Sequence, residues 1–518
     1  MSATSILHKE PLIKTNSVIT KPQMAVNIPS FTSIKTVQIS ATAPTAAVNN
    51  ESIVTFRFDA KQLGGRVKAA WVRYTITNSD ASNEMKCEPV PYFCSKIEYF
   101  ANDGTSLLYT QRDNTSFWEV MALTPEDQQS KSWRQDLNVS AGYYHSHDQH
   151  KRSVQRAYRL PLITNPLVLA REHLGAAVGD IYIKFHFQKC EISGNHDDVQ
   201  LDDISLEFEI ERLSADDEKQ VLSLKNQASL HRFLEPMKVE YASQTLTAST
   251  KSTFSLDSVV GDCPFILFCV RSATTVGNRL KTVNLGPTAT VDIEDSTGRS
   301  IYGGGQAVRL DLIMKHLKSK HFRNPEFIEQ RNFYVLPFCD SVQDSFAGSK
   351  HGYFRFDGSN YKLAITPSAA GTSAVQTLNC NNPANDGGYY KLAFMGDITD
   401  SLAYNANATA IKAALEALPT MLDWQGAPLT VTASDALTTD ATLTFAATAN
   451  PQPNSEKHQV QVICESINDG GVAEFTSTST TTLGVPGFTT GSYTVSIYPY
   501  LYRRLWSKNG KYKVDNDI

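Results

Sequence analysis

Residues 493–514 read "YTVSIYPYLYRRLWSKNGKYKV". The first half alternates in the manner of a strand, with Val495, Ile497 and Tyr498 set among Thr494, Ser496 and Pro499. A strand needs a hydrogen-bonding partner. Its immediate predecessors do not supply one, because the roughly 120 residues before it are rich in Thr and Ala and poor in basic side chains. The partner must therefore lie further back in the chain.

Working back, two similar blocks appear. Strand-like runs dominate from residue 52: "SIVTFRFD", "AAWVRYTIT", "SKIEYFA", "DIYIKFHFQ" and "ISLEFEIERL" alternate and carry Val, Ile, Tyr and Phe. Asp103-Gly104 within "FANDGTS" predicts a tight hairpin turn with positive φ angles. Strands resume with "MKVEYASQTLTA", "PFILFCVRS", "RNFYVLPFC", "GYFRFDG" and "NYKLAIT". Placing Gly104 on Gly298, about 194 positions on, lays "IEYFANDGTSLL" over "VDIEDSTGRSIY" without gaps. A short helix-compatible segment follows each copy, "FWEVMAL" (117–123) and "VRLDLIM" (308–314). The pattern predicts a duplicated, mostly antiparallel β-sandwich.

Between the copies, "LSADDEKQVLSLKNQA" predicts a linker helix with Ser214 as its cap and acids in its first turn. In the first copy "DIYIKFHFQ" leads through a short link to the closing strand "ISLEFEIERL". In the second, "GYFRFDGSNYKLAIT" lacks such a sequel until "SYTVSIYPYLYRRL". The final strand is thus expected to complete the second sandwich, with residues 372–489 inserted in a loop; such insertions are tolerated when their ends meet. That segment holds eleven acids against three lysines, a net of −8, which leaves +3 for the rest of a chain whose total is −5. It reads as a small α+β module: a hairpin from "YYKLAFMGD" and "DSLAYNA", then a helix over "NATAIKAALEALPTM" capped by Asn407, with Ile411, Ala414, Leu415 and Leu418 on one face.

Taken in order, these segments resemble the double jelly-roll major capsid proteins of tailless icosahedral viruses, the lineage that includes adenovirus hexon. The likeness runs through "SKIEYFANDGTSLLY", "ISLEFEIERLSADDEKQVL", "NFYVLPFCDSVQDSFAGSKHGYFRFDGSNYKLAIT" and the closing "YTVSIYPYLYRRLWSKNGKYKV". Leu505 and Gly510 fit the family's ending, whereas Arg503-Arg504 stands where Asn is usual. The resemblance implies an all-β fold of two tandem eight-stranded jelly rolls joined by a short helix, plus an inserted small α+β domain. Its expected divisions are an arm over 1–48, a first roll over 49–213, a linker helix over 214–234, a second roll over 235–371, the inserted surface domain over 372–489 and a closing strand with the C-terminus over 490–518. The module also resembles small domains of tailed-phage and bacterial surface proteins, which points to a bacteriophage. The implied function is a major capsid protein that assembles as pseudo-hexameric homotrimers into an icosahedral virion shell, built in the host cytoplasm, with the inserted domain outward. Implied partners are neighbouring capsomers, penton and minor capsid proteins, and an internal membrane reached by the weakly basic arm; sequence-specific nucleic-acid binding is not implied.

The chemistry-bearing residue types point elsewhere only weakly. His145, His147, Asp148 and His150 in "YYHSHDQHKR" match the first spacing of a cupin metal site, but no Glu follows at the required distance, so a polar loop is the favoured reading. Asp197, Asp198, Asp202 and Asp203 offer oxygen ligands suited to Ca²⁺ without an EF-hand pattern, so an acidic turn is preferred. "YGGGQ" (302–306) lacks the Lys-Ser/Thr of a phosphate loop. Arg503 and Arg504 are expected to pair with a neighbouring subunit rather than grip phosphate. The eight cysteines form no CxxC pair; buried thiols are expected, with Cys87 and Cys94 the one pair close enough to consider as a bridge. The glycosylation sequons, Asn114 among them, carry little weight, because the first twenty residues lack the apolar core of a signal peptide. No run of apolar residues is long enough to span a membrane as a helix. No catalytic, cofactor or metal residue is assigned. The rival functions are a virion spike or glycan-binding surface protein, and a bicupin-like metalloenzyme.

Overall fold

The computed structural model describes residues 31–40, 46–47, 53–59, 65–78, 94–112, 119, 154–162, 179–187, 199–216, 219, 229–272, 283–314, 333–346, 350–371, 374–380, 388–394, 397–403, 406–418, 430–432, 441–445, 460–467, 475–482 and 487–516. Strands turn their apolar side chains to one face where that face meets a core. In Val199–Leu213, Ile204, Leu206, Phe208 and Ile210 are buried, and Glu209 on the opposite face meets Lys68 at 2.6 Å.

The first roll contains β1 (Phe31–Ser40), β2 (Ala46–Ala47), β3 (Ile53–Asp59), β4 (Arg66–Asn78), β5 (Cys94–Ala101), β6 (Ser106–Arg112), β7 (Val154–Pro161), β8 (Asp180–Phe187) and β9 (Val199–Leu213). They form two antiparallel sheets, ordered β1-β9-β4-β7 and β3-β8-β5-β6. Phe58 on one sheet meets Phe208 on the other, ring centroids 5.2 Å apart.

The second roll contains β10 (Ser229–Pro236), β11 (Val239–Leu246), β12 (Ser252–Ser255), β13 (Val260–Cys263), β14 (Phe265–Ser272), β15 (Thr290–Glu294), β16 (Val308–Arg309), β17 (Tyr334–Pro337), helix α1 (Val342–Phe346), β18 (Phe354–Asp357) and β19 (Lys362–Thr366). The third group is β20 (Ala374–Cys380), β21 (Gly388–Phe394), β22 (Asp397–Ile398), β23 (Leu402–Ala403), helix α2 (Ala408–Glu416), β24 (Thr430–Thr432), β25 (Ala441–Phe445), β26 (Gln461–Ile467) and β27 (Phe475–Thr482). The chain ends in β28 (Gly491–Lys508) and β29 (Lys511–Asn516).

The second roll repeats the first: β10-β28-β14-β17 forms one sheet, with β11 also on β28, and β12-β19-β15-β16 forms the other. With the extra two-stranded pair β13-β18 set aside, each roll puts its last strand between its first strand and the strand equivalent to β4, which is β14 in the second roll, the order of a jelly roll. The partners sought for the final strand are β10, β11 and β14, which lie more than 200 residues earlier. The offset of 194 also holds in three dimensions. Gly104 (φ +81°) and Gly298 (φ +79°) occupy equivalent turns, and Glu119 and Ile313, equivalent by the same offset, are both helical.

Three expectations are corrected. Phe31–Ser40, assigned to the arm, is a ten-residue strand paired with β9 along Phe31–Ser40 against Ser205–Leu213; its Ser/Thr content leaves only Val37 and Ile39 in apolar alternation. Residues 1–30 lie outside the described residues. The linker is helical at Ala215, Asp216 and Lys219, but Ser229–Pro236, placed in the linker helix up to 234, pairs with β28 as β10. The β5–β6 turn spans four residues, and Asn102 (φ +53°) and Asp103 (φ +58°) share the positive φ that the sequence assigned to Asp103-Gly104.

Strands β20–β27 form two sheets, β24-β25-β20-β27 and β22-β21-β23 with β26 on β21. Every pairing found for them is with one another. They enclose a separate core in which Tyr390, Leu392 and Phe394 pack with Ile411 and Leu415 of α2. The helix begins where Asn407 Oδ1 accepts the Ala410 amide at 2.9 Å. At the base, Phe488 N donates to Ala369 O at 3.1 Å, and a Cβ on Gly487 would overlap the Gly371 backbone.

Candidate functional site: the seam between the rolls

Strand β28 is eighteen residues long and outruns its own roll. Its first half lies between β11 and β14, with Gly491–Ile497 on β11 and Tyr493–Tyr500 on β14. Its second half leaves β14 and runs between β10 and β29. The reversal into β29 is an Asn509-Gly510 turn with φ of +54° and +72°, the geometry that this dipeptide favours in two-residue hairpins. The resulting three-stranded extension meets β6, an edge strand of the first roll.

Polar contacts fix the meeting. The Asn102 amide pairs with the backbone of Tyr512: Nδ2 donates to Tyr512 O at 2.7 Å and Oδ1 accepts from Tyr512 N at 3.1 Å. A side chain here imitates a neighbouring strand. Glu235 bridges the rolls, accepting from Thr110 N at 3.2 Å and from Arg503 Nε at 3.0 Å. Arg503, expected to reach a neighbouring subunit, is thus engaged within its own chain.

Deeper in lies Glu119, a fully buried carboxylate. It accepts from Gln111 Nε2 at 2.7 Å, and from Tyr500 Oη across the seam at 2.7 Å. Burying a carboxylate is costly unless donors replace the lost water. Tyr500 is held from its other sides by Phe265, stacked at 4.4 Å, and by Phe346, edge-on at 5.5 Å. Tyr109 packs on Phe233 at 5.9 Å, so residues of both rolls share one apolar core. Nearby, burial and then the Arg66 cation lower His231 to about 4, so its ring is neutral at neutral pH.

At the adjoining end of the second roll, Asp262 is fully buried. Burial pushes its carboxyl up. Bonds from Arg355 (2.6 and 3.0 Å) and from Lys350 outweigh this and hold it below the usual range. Lys350 also faces the rings of Tyr353 and Tyr502, at 4.4 and 5.8 Å.

The residues singled out for metal or phosphate chemistry do not converge. His145, His147, Asp148, His150, Asp197 and Asp198 lie outside the described residues, as do Cys87 and Asn114. Asp202 sits in β9 opposite Thr75, Asp203 follows with φ +51°, and Cys94 is in β5. The "YGGGQ" segment is a turn with φ of +64°, +77° and +99° at its three glycines. Among the described residues, no three His, Cys, Asp or Glu side chains gather as a metal site would require. Cys263, Cys269 and Cys339 are buried free thiols.

No family model and no curated protein matches the chain. Solved structures do. A crystal structure of VP54 from PBCV-1, fitted into a cryo-EM reconstruction of the virophage Sputnik, matches with a TM-score of 0.52 at 11% identity, covering 94% of this chain and 98% of that one. A quasi-atomic model of the PBCV-1 virus capsid matches with a TM-score of 0.52 at 10% identity, covering 98% and 100%. With two rolls of identical strand order joined side by side, the chain has the double jelly-roll fold seen in these capsid structures.

Proposed function

We propose that this chain is a major capsid protein that assembles as homotrimers, each a pseudo-hexagonal block of six jelly rolls, into the shell of an icosahedral virion. The observation that carries the reading is the seam. Two rolls of one topology are held in a fixed mutual orientation by the overshoot of β28 and by Asn102, Glu119 and Glu235, and the full-length correspondence with the PBCV-1 capsid structures spans both rolls. A rigid two-roll block is what a pseudo-hexagonal tile requires, and symmetric closure then needs one further interface used three times. The work is burial of apolar surface between copies, and no bond is made or broken.

In this reading residues 372–489 form a module on the outward face. Support comes from strands that pair among themselves, a separate core, and ends that meet at Gly371 and Gly487. Its sheet also leaves Tyr389, Ile398 and Ile463 exposed, a face open to a ligand or to neighbouring capsomers. Neighbouring capsomers, penton and minor capsid proteins are the partners of the assembled shell, and assembly takes place in the host cytoplasm.

Light scattering on a sizing column tests the reading. A species of three times the 57.2 kDa chain mass that persists on dilution is expected. A chain that stays monomeric at high concentration overturns it.

A further inference from the structure

Cys263 ends β13, and Cys339, 76 positions on in sequence, follows the end of β17 in the second roll. Strands β14 and β17 pair antiparallel from Phe268 opposite Tyr334 to Phe265 opposite Pro337. The ladder runs one step further, because Phe338 N donates to Pro264 O at 2.7 Å. The next residues in that register are Cys263 and Cys339. They fall at a position without ladder hydrogen bonds, the class in which Cα atoms come closest, about 4.5 Å in a regular ladder. Disulfides span Cα separations of about 4.4–6.8 Å. After Phe338 the chain leaves the ladder in a bend at Cys339 and Asp340 and enters α1.

Both side chains belong to one apolar cluster, and the Cys339 sulfur lies close enough for its charge to raise the Cys263 thiol further, after burial. Cys263 donates to Phe265 O at 3.0 Å, and Tyr502 stands near both sulfurs. Burial raises both thiols above their ordinary values, so in the reduced state they are inert, packed apolar groups.

We propose that Cys263 and Cys339 are a latent disulfide site, closed by a small-molecule disulfide such as oxidised glutathione. Cys339, the more exposed of the two and next to a bend, ionises when that bend opens. Its thiolate attacks one sulfur of the oxidant, forming a mixed disulfide and releasing one small thiolate. The Cys263 thiolate then attacks Cys339 Sγ, the protein S–S bond forms, and the second small thiolate leaves. Two protein thiols and one small disulfide become one protein disulfide and two small thiols, the two thiol protons passing to the released thiolates. The bond staples the end of β13 to the second residue beyond β17, two residues from Phe265, whose ring stacks on Tyr500 at the seam.

The test uses the full chain under native conditions. Protein is incubated with oxidised glutathione, quenched in acid, alkylated in denaturant and digested. A peptide pair joined through Cys263 and Cys339, two hydrogens lighter than the reduced pair, is expected, together with a melting temperature raised by about 5 °C that reverts on reduction. Recovery of both cysteines as alkylated thiols after oxidation overturns the proposal. So does either cysteine found bridged to another partner. Cys339→Ser provides the control: it should fold with the reduced protein's melting temperature and show no glutathione-dependent rise, and a rise that persists in it also overturns the assignment.

Discussion

The two rolls carry the same hairpin turn, and the molecule treats the two copies differently. In the first roll the turn after β5 is gripped from outside: Asn102 pairs with the Tyr512 backbone, and Asp103 pairs with Asp180, accepting its amide at 2.8 Å and donating to its carbonyl at 3.1 Å. In the second roll the equivalent turn holds itself together. Asp295 Oδ1 accepts from the amides of Thr297 and Arg299 at 2.8 and 3.0 Å, and a Cβ on Gly298 would meet nothing within 4 Å. Ser296 stands at the place of Asn102, with too short a side chain to imitate a strand. A further step of 194 puts Ile313, an ordinary core residue, at the place of Glu119. One scaffold thus occurs twice, and different residues at a few equivalent positions make one copy the wall of a seam.

The largest expected effect comes from Glu119. Glu119→Ala removes the carboxylate that accepts from the buried Tyr500 hydroxyl and Gln111 amide, at a cost of about 3–4 kcal/mol. Chemical denaturation should show it as a lower midpoint. If the rolls unlatch before they unfold, a second transition appears that the wild type lacks. A loss below about 1 kcal/mol would mean that the carboxylate is incidental to the seam.

Acid should weaken the same region. His231 titrates at about 4 in the folded chain against 6.5 ordinarily, so the unfolded chain binds the proton first. Stability is full above pH 6.5, falls as pH drops through the window from 6.5 to about 4, and levels below it. The total is about 3 kcal/mol at 1.36 kcal/mol per pH unit. Asp262, Glu98 and Glu240, all held below the ordinary carboxylate range, add losses at lower pH as they protonate. Thermal melts at pH 7 and 5 should therefore differ in the wild type and differ less in His231→Asn.

Much of this frame was legible in the chain itself. Alternation in 493–502 and the repeat about Gly104 and Gly298 reveal the two rolls, because burial of one face imposes period two on any strand. Two strands lie outside that alternation for different reasons. Strand β1 is diluted by Ser and Thr. Strand β29 is announced by Asn509-Gly510, the strongest short-range hairpin signal, whose Gly510 also belongs to the family's ending motif. The seam is another matter. Asn102 meets Tyr512 across 410 positions and Glu119 meets Tyr500 across 381, and no local period encodes such distances. A lone Glu in the apolar run "FWEVMAL" was the available hint, since a charge in an apolar stretch calls for a partner.

A middle-sized effect separates the two turns directly. Asn102→Ala removes two bonds to the Tyr512 backbone and should cost about 1–2 kcal/mol. Ser296→Ala, its counterpart in the second roll, should cost less than about 0.5 kcal/mol, as exposed substitutions do. Equal losses would show that the turn matters for its own sake and the seam does not, and urea denaturation of the two variants decides it.

The smallest effect should follow the largest cut. Replacing residues 372–489 by a short Gly/Ser bridge removes both sheets of the third group, yet β28 keeps β10, β11 and β14 as partners, and these carry its hydrogen bonds. The ends to be bridged already meet, since Phe488 bonds to Ala369 and Gly487 lies on Gly371. A shorter loop also costs slightly less entropy to close, by about 0.6 kcal/mol for each halving of its length. The melting temperature of the two rolls should therefore stay within a few degrees of the full chain, and the sizing profile should keep its subunit number. Loss of cooperative melting in the deletion variant would mean that β28 finds its place only with the module present, and that the third group belongs to the folding unit of the second roll.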